Sequence, residues 1–243
     1  MNLSIIIPVF NEAEKIRDDI LMISKFLNEN KLTGEIIISD DGSTDDTIIM
    51  ATETPVSELV QLSVISDGKH VGKGHAVRKG ILQSKGNIVL FMDSGKTVKL
   101  DAITKGLEMI QHGDCQIVLG SRHLPESIIN IPLTFHRRVV SVLFRLFIKL
   151  VFPSMWGFTD TQCGFKCFNR DKAVPVFSKM SLDGFCFDVE LLFIAKKLGL
   201  KIKEVPVLWK DVAQSRVNIL SEPVRMFLDL LRIRRNNENG FYD

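Results

Sequence analysis

In the first hundred residues, four apolar runs are each followed by polar residues able to meet a charged ligand: Asn11 and Glu12, then Asp40 and Asp41 with Asp45 and Asp46, then Asp67, then Asp93. Carboxylates gathered in one place repel one another unless a cation or hydrogen-bond donors join them. A metal-bound diphosphate or the donor edges of a nucleotide would serve. Further along, the charge inverts. Between Ile128 and Thr159 there is no acid, while Arg137, Arg138, Arg145 and Lys149 are all basic. From Arg216 to Arg235 five arginines face only Glu222 and Asp229. The formal net charge of the whole chain is +2, so the remainder is mildly acidic. An acidic body with two basic, apolar segments suggests contact with an anionic surface. The near-zero sum argues against a dedicated nucleic-acid binder.

The elements that must position these residues alternate. Strands are expected at Leu3–Pro8, Glu35–Ser39, Leu62–Ser66, Ile88–Met92 and Ile117–Gly120. Helices are expected at Ala13–Leu27, Asp45–Ala51, Lys73–Gln83, Asp101–Gln111 and Phe187–Leu198. Such alternation with short linkers indicates an α/β layered fold with parallel strand pairs. Ligands of these sheets sit at the carboxyl ends of the strands. The segments Pro8–Glu12, Asp40–Asp46, Asp67–Gly74 and Asp93–Thr97 therefore share one rim.

With 243 residues, 45 % hydrophobic and 25 % charged, the chain suits one large domain and is neither disordered nor collagen-like. No apolar leader precedes the first strand, and Cys115, Cys163, Cys167 and Cys186 are few, so reduced thiols in the cytoplasm are expected. Cys163 and Cys167 lack a second pair at zinc spacing, and His70, His75, His112, His123 and His136 are scattered. Gly95-Lys96-Thr97 mimics the tail of a P-loop, but position 90 is Leu where the loop needs glycine. Gly72-Lys73-Gly74 opens a helix without completing a dinucleotide fingerprint, yet its glycines would let a ligand approach the helix N-terminus.

Several motifs fall in one order: Ile5-Ile6-Ile7-Pro8-Val9-Phe10-Asn11-Glu12, Ser39-Asp40-Asp41-Gly42-Ser43-Thr44-Asp45, His70-Val71-Gly72-Lys73-Gly74, Gly120-Ser121-Arg122, Asp160-Thr161-Gln162-Cys163-Gly164-Phe165-Lys166, Phe187-Asp188-Val189-Glu190-Leu191 and Glu204-Val205-Pro206-Val207 with Trp209. The set resembles the family 2 glycosyltransferases of GT-A fold, and within them the dolichyl-phosphate β-glucosyltransferases and dolichyl-phosphate mannose synthases. The resemblance covers about residues 3–218. It implies a mostly parallel central sheet with helices on both faces and an inverting, metal-dependent transfer of a hexose, glucose from UDP-glucose, onto a polyprenyl or dolichyl phosphate. Pro8, Asn11 and Glu12 would line the nucleotide pocket, Glu12 near the ribose. Asp40 and Asp41 would meet the base, and Gly72, Lys73 and Gly74 would border the donor. Arg122 would face the donor phosphates or the acceptor phosphate, joined by Arg137 or Arg138. Asp160, Gln162 and Gly164-Phe165 would shape the sugar and acceptor side. Glu190, with Asp188, would be either a chemical group or an ordinary acid at a helix start.

The chain departs from that pattern at the metal motif. The family has Asp-x-Asp after the fourth strand; here the residues are Asp93-Ser94-Gly95, followed by Lys96. Asp93 could hold Mg2+ or Mn2+ with the diphosphate and waters, Lys96 could replace part of the metal's charge, or catalysis could be impaired. The missing acid also favours a non-catalytic, membrane-associated nucleotide-sugar binder. A transferase with a protein or glycan acceptor is the remaining alternative.

Two helices invite a membrane. Arg138, Ser141, Arg145 and Lys149 form one polar stripe over residues 136–152, and nearly every other position is apolar. The stretch is too short and too charged to span a bilayer, and too apolar for a wet surface. An interfacial helix satisfies both facts. The C-terminal part, 219–243, repeats the design: Ser221 and Pro223 suit a helix start, Arg225, Asp229 and Arg232 line one side, and Val224, Phe227, Leu228 and Leu231 are among those filling the rest. Packing against the domain, or in a homo-oligomer, is the other reading. The expected location is peripheral, at the cytosolic face of a membrane.

Overall fold

The computed structural model describes residues 2–95, 100–129, 135–209 and 222–243, with backbone alone at 135–138, 222 and 223. In chain order the elements are β1 (Leu3–Val9), α1 (Ala13–Glu29), β2 (Gly34–Asp40), α2 (Thr47–Thr52), β3 (Val60–Ser66), α3 (Lys73–Gln83), β4 (Ile88–Met92), α4 (Leu100–Gln111), β5 (Ile117–Ser121), β6 (Ile128–Ile129), α5 (Phe135–Val151), β7 (Phe165–Asn169), α6 (Arg170–Ser178), α7 (Phe187–Lys197), β8 (Ile202–Pro206), β9 (Leu208–Trp209) and α8 (Glu222–Glu238).

The main sheet runs β3-β2-β1-β4-β7-β5-β8. Its strands feed two cores. Ile5, Ile7, Ile36, Ile38, Leu90 and Met92 enter the core that also holds α1 and α4 residues. Ile6, Ile37, Val89 and Phe91 point the other way, toward α3, α6 and α7. Alternation along each strand thus builds the expected layers, helices covering both faces.

One strand runs against the rest. β7 lies between β4 and β5 and is antiparallel to both, with Met92 opposite Phe165. Its reversed direction brings its beginning, residues 160–164, to the rim where the parallel strands end. β7, α6 and β8 are not among the elements expected from the sequence. Pro175 interrupts the α6 pattern, and β8 is only partly buried, so its alternation is weak.

The segments expected at an interface form α5 and α8, which pack on each other through stacked Phe147 and Phe227 rings 4.3 Å apart. Ile148 of α5 and Leu230 and Ile233 of α8 enter the second core, as does Tyr242. Val139, Val140, Leu143, Leu146 and Leu150 of α5 and Val224, Phe227, Leu228 and Leu231 of α8 remain exposed. Among the described residues no helix is long and apolar enough to cross a membrane. Ser221 lies outside the described residues.

Candidate active site

On the side of the rim expected to meet the nucleotide, carboxylates and amides build the loops. Asp40 accepts from the backbone N–H groups of Gly42 and Ser43 and from Ser66 Oγ, the last at 2.7 Å. Its buried carboxylate is therefore engaged inside the loop and does not face outward toward a base. Asp41 Oδ1 accepts from Val71 N and Gly72 N at 2.8 and 2.9 Å, which ties the loop after β2 to the one before α3. Its Oδ2 lies 2.9 Å from His70 Nδ1, and the His70 ring stacks on Phe10 at 4.1 Å. Asn11, at φ 53, accepts from Thr44 N through its side chain, while its own N–H donates to Ser43 Oγ. Glu12 donates its N–H to Thr47 Oγ1 and pairs with Lys15 at 3.0 Å. Pro8 is half-buried at the end of β1.

Gly72 and Gly74 are required by close approach. A Cβ on Gly72, whose φ is +144, would meet Asp183 O at 2.3 Å, and one on Gly74 would meet Phe187 Cβ at 2.6 Å. They seat the first turn of α3 on the 182–184 segment, where His75 N donates to Asp183 O and Arg78 clamps the Asp183 carboxylate at 2.7 Å.

Between the two halves lies Asp93. Its N–H donates to Gly164 O at 2.9 Å, and its carboxylate fills the space where a Gly164 Cβ would stand 2.0 Å from Oδ2. Lys73 Nζ lies 2.6 Å from Asp93 Oδ1. Burial opposes the Lys73 charge, but Asp93 and then Asp188 outweigh it and hold its pKa above the ordinary lysine value. Gly95 has φ +93, and Asp19 Oδ2 accepts both its N–H and Ser94 Oγ. The donors for a divalent ion are thin: one carboxylate, already joined to an ammonium, and no cluster of three potential ligands among the described residues. These residues do not fit a protein-held Mg2+ or Mn2+ site. Lys96 lies outside the described residues.

The side of the rim expected to meet the acceptor is built from long-range charge pairs. Arg122 grips Asp160 with two prongs, Nε to Oδ2 at 2.7 Å and Nη2 to Oδ1 at 3.0 Å, and its N–H adds a third bond. Burial opposes both charges, yet the pairing prevails: Asp160 is held well below the usual carboxylate range and Arg122 above the usual guanidinium value. Trp209 supports the guanidinium at 5.3 Å from its ring centroid. Glu204 accepts from Thr159 N, Thr159 Oγ1 and Asp160 N, which fixes the turn that presents Asp160. Gln162 donates its N–H to Asp160 Oδ1 at 3.1 Å.

Sequence reasoning assigned no role to Glu204, although its motif was visible, nor a site role to Arg145. Arg145 lines a cleft with Lys149, Thr159 and Thr161. Its pKa is lowered, first by burial, with Arg122 adding to the effect against the pull of Asp160. The polar stripe of α5 thus faces the rim at this position. The side chains of Arg137 and Arg138 lie outside the described residues.

Two expected acids stay inside. Glu190 is fully buried and accepts from Ser181 N, Ser181 Oγ, Leu182 N and Tyr242 Oη. It is a brace for the 181–184 segment and is not brought to the rim. Asp188 pairs with fully buried Lys166 at 2.5 Å; burial pushes its carboxyl above the usual range despite that partner.

A mostly parallel sheet, one reversed strand and a ligand rim at the strand ends make up the GT-A glycosyltransferase architecture. Glucosyl-3-phosphoglycerate synthase from Mycobacterium tuberculosis, crystallised with Mn2+, UDP and glucosyl-3-phosphoglycerate, has that fold in common with this chain: TM-score 0.68, 22 % identity, 96 % of this chain and 78 % of that one covered. The same enzyme with Mg2+ and UDP also gives 0.68, at 21 % identity, covering 96 % of this chain and 77 % of that one. Residues 4–173 match Glycosyl transferase family 2, and the chain belongs to that family. It is 34 % identical over 244 residues to the dolichyl-phosphate beta-glucosyltransferase of Dictyostelium discoideum, covering 96 % of this chain and 73 % of that protein. With the Homo sapiens enzyme of the same name the identity is 32 %, over 96 % of this chain and 74 % of the other.

Proposed function

We propose that the protein transfers glucose from UDP-glucose to a dolichyl or other polyprenyl phosphate at the cytosolic face of a membrane, with inversion. The observation that carries this reading is the placement of Arg122 and Arg145 at the rim, beside helices whose outer face is apolar. A lipid phosphate needs cations for its head and grease for its tail, and both stand together here. The relatives named above support the choice of sugar and acceptor.

The acceptor's phosphate oxygen attacks the anomeric carbon as the bond from that carbon to the β-phosphate oxygen breaks. The departing electron pair stays on UDP, and the new bond lies on the opposite face of the sugar. A phosphate monoester has a second pKa near about 6, so the nucleophile is already anionic at neutral pH and needs no strong base. This agrees with the burial of Glu190. Catalysis then rests on bringing two anionic phosphates together, through position and neutralising charge. Arg122 and Arg145 answer the acceptor phosphate, with Asp160 and Glu204 holding Arg122 in place.

Docking follows from α5 and α8. Their exposed apolar residues enter the headgroup region, while basic side chains reach toward anionic phosphates. Residues 1–218 would then form the catalytic body and 219–243 a second membrane-facing helix.

Radiolabelled UDP-glucose offered with and without a polyprenyl phosphate tests the reading. Label in a lipid product only when that acceptor is present is the expected result. Transfer to protein or soluble glycan without the lipid would replace it with the alternative acceptors. Binding of UDP-glucose with no turnover would favour a nucleotide-sugar binder.

A further inference from the structure

We infer that Lys73 does the work of a divalent cation in this protein: its ammonium, anchored by Asp93, neutralises the donor diphosphate, and the transfer needs no added metal ion. The inference rests on the donor reading above, a nucleoside diphosphate at the rim. Three independent features lead to it.

The first is the ion pair itself. Lys73 Nζ stands 2.6 Å from Asp93 Oδ1, and Asp93 is immobilised by Gly164, whose backbone it touches on both its N–H and its carboxylate side. An ammonium has three donors. The ammonium stands at ion-pair distance from Asp93, and its side chain, 21 % exposed, can offer donors outward.

The second is the loop where a further metal ligand would have to stand. Gly95 adopts φ +93, a conformation that side chains rarely take, and its N–H is held by buried Asp19. A carboxylate placed there would be strained and would sit beside a like charge. The loop is shaped for glycine at this position, and of its described residues only Asp93 carries an acid.

The third is the charge pattern beneath. Asp188 contributes to holding the Lys73 charge and is itself paired with Lys166. Behind the Lys73–Asp93 pair, charges of both signs thus lie inward from the rim. Lys73 is also the first residue of α3, so the dipole of that helix adds to the same positive field. In the transfer, the β-phosphate oxygen gains the electron pair of the breaking glycosyl bond. A fixed ammonium stabilises that charge as a metal would, without having to be recruited from solution.

The test is UDP binding by isothermal calorimetry, which needs neither acceptor nor turnover. The wild-type protein is titrated in EDTA and again in excess Mg2+ and Mn2+, and Lys73→Met is titrated alongside, its fold checked by circular dichroism. The expected result is a wild-type Kd that changes less than about threefold between EDTA and metal, and a loss of at least about tenfold for Lys73→Met in EDTA, the equivalent of about 1.4 kcal/mol. Wild-type binding that falls tenfold or more in EDTA overturns the inference while leaving the donor reading intact. So does a folded Lys73→Met that binds UDP as the wild type does. Failure of the wild type to bind UDP in any buffer removes the donor reading and the inference together. The wild-type comparison decides the question even if the variant does not fold.

Discussion

The two halves of the rim hold their charges in opposite ways. On the nucleotide side, Asp40, Asp41 and Asn11 hydrogen-bond to amides a few residues away or in the neighbouring loop, and the loops take their shape from them. On the acceptor side, Arg122, Asp160 and Glu204 come from three segments 38 and 44 residues apart and are held by charge. The first arrangement makes a rigid set of loops whose amides are tied to side chains, the second a cation held on a carboxylate beside an apolar face. The first is the half proposed for the diphosphate, the second the half proposed for the lipid phosphate.

Removing the cation of the acceptor half should have the largest effect. Arg122→Ala is expected to lower turnover about 10²–10³-fold, the scale of losing one preorganised charge stabiliser. Single-turnover transfer measures it. A loss below tenfold would mean that the acceptor half does not handle charge as described.

Its partner tests the pairing. Asp160→Asn leaves a guanidinium 28 % exposed without its carboxylate, and a cost of about 3 kcal/mol in stability is expected. The folded-state pKa of Asp160 lies below its unfolded value of about 3.9. The pair's stabilisation is therefore complete above that unfolded value and is lost as pH falls through the lower folded one. Urea midpoints between pH 5 and 2 should drop less steeply in Asp160→Asn than in the wild type. Parallel acid limbs would contradict the assignment.

A smaller effect is expected at the brace under the nucleotide half. Glu190→Gln should cost about 1–3 kcal/mol, because the amide turns a donor toward groups that already donate. Turnover per folded molecule should change far less than in Arg122→Ala. Equal kinetic losses in the two variants would assign Glu190 a chemical role after all.

Smallest in stability is the outer face. Leu143→Glu with Leu150→Glu should shift stability by no more than about 0.5 kcal/mol per substitution, since both side chains are exposed. Sedimentation with anionic vesicles should nevertheless fall sharply, with UDP binding unchanged. Undiminished vesicle binding would place docking elsewhere.

Much of the nucleotide half was legible in the sequence. Ile5 to Asn11 and Ser39 to Asp45 each carry a whole strand and its following loop in one short stretch, because parallel strands buried on both faces read as continuous apolar runs. The acceptor half was legible only as motifs. Glu204 and Asp160 are far apart in the chain, and nothing in either segment names the other. The reversal of β7 was hidden too, since strand direction is a property of pairing and not of composition. Glu190 misled for a related reason: an acid near a helix start looks the same whether it faces water or, as here, the hydroxyl of Tyr242.

What the chain order determined by itself was local and periodic: the alternating elements, the rim loops, the glycine at position 95, and two helices too charged to span and too greasy to be bare. What only the tertiary structure decided was which charges meet. Arg122 reached Asp160 because β7 runs backward and carries residues 160–164 to the rim, and Lys73 reached Asp93 because α3 begins beside the end of β4. Hydrophobic periodicity is written in neighbouring residues, whereas an ion pair depends on distance in space, and that exists only once the sheet has closed.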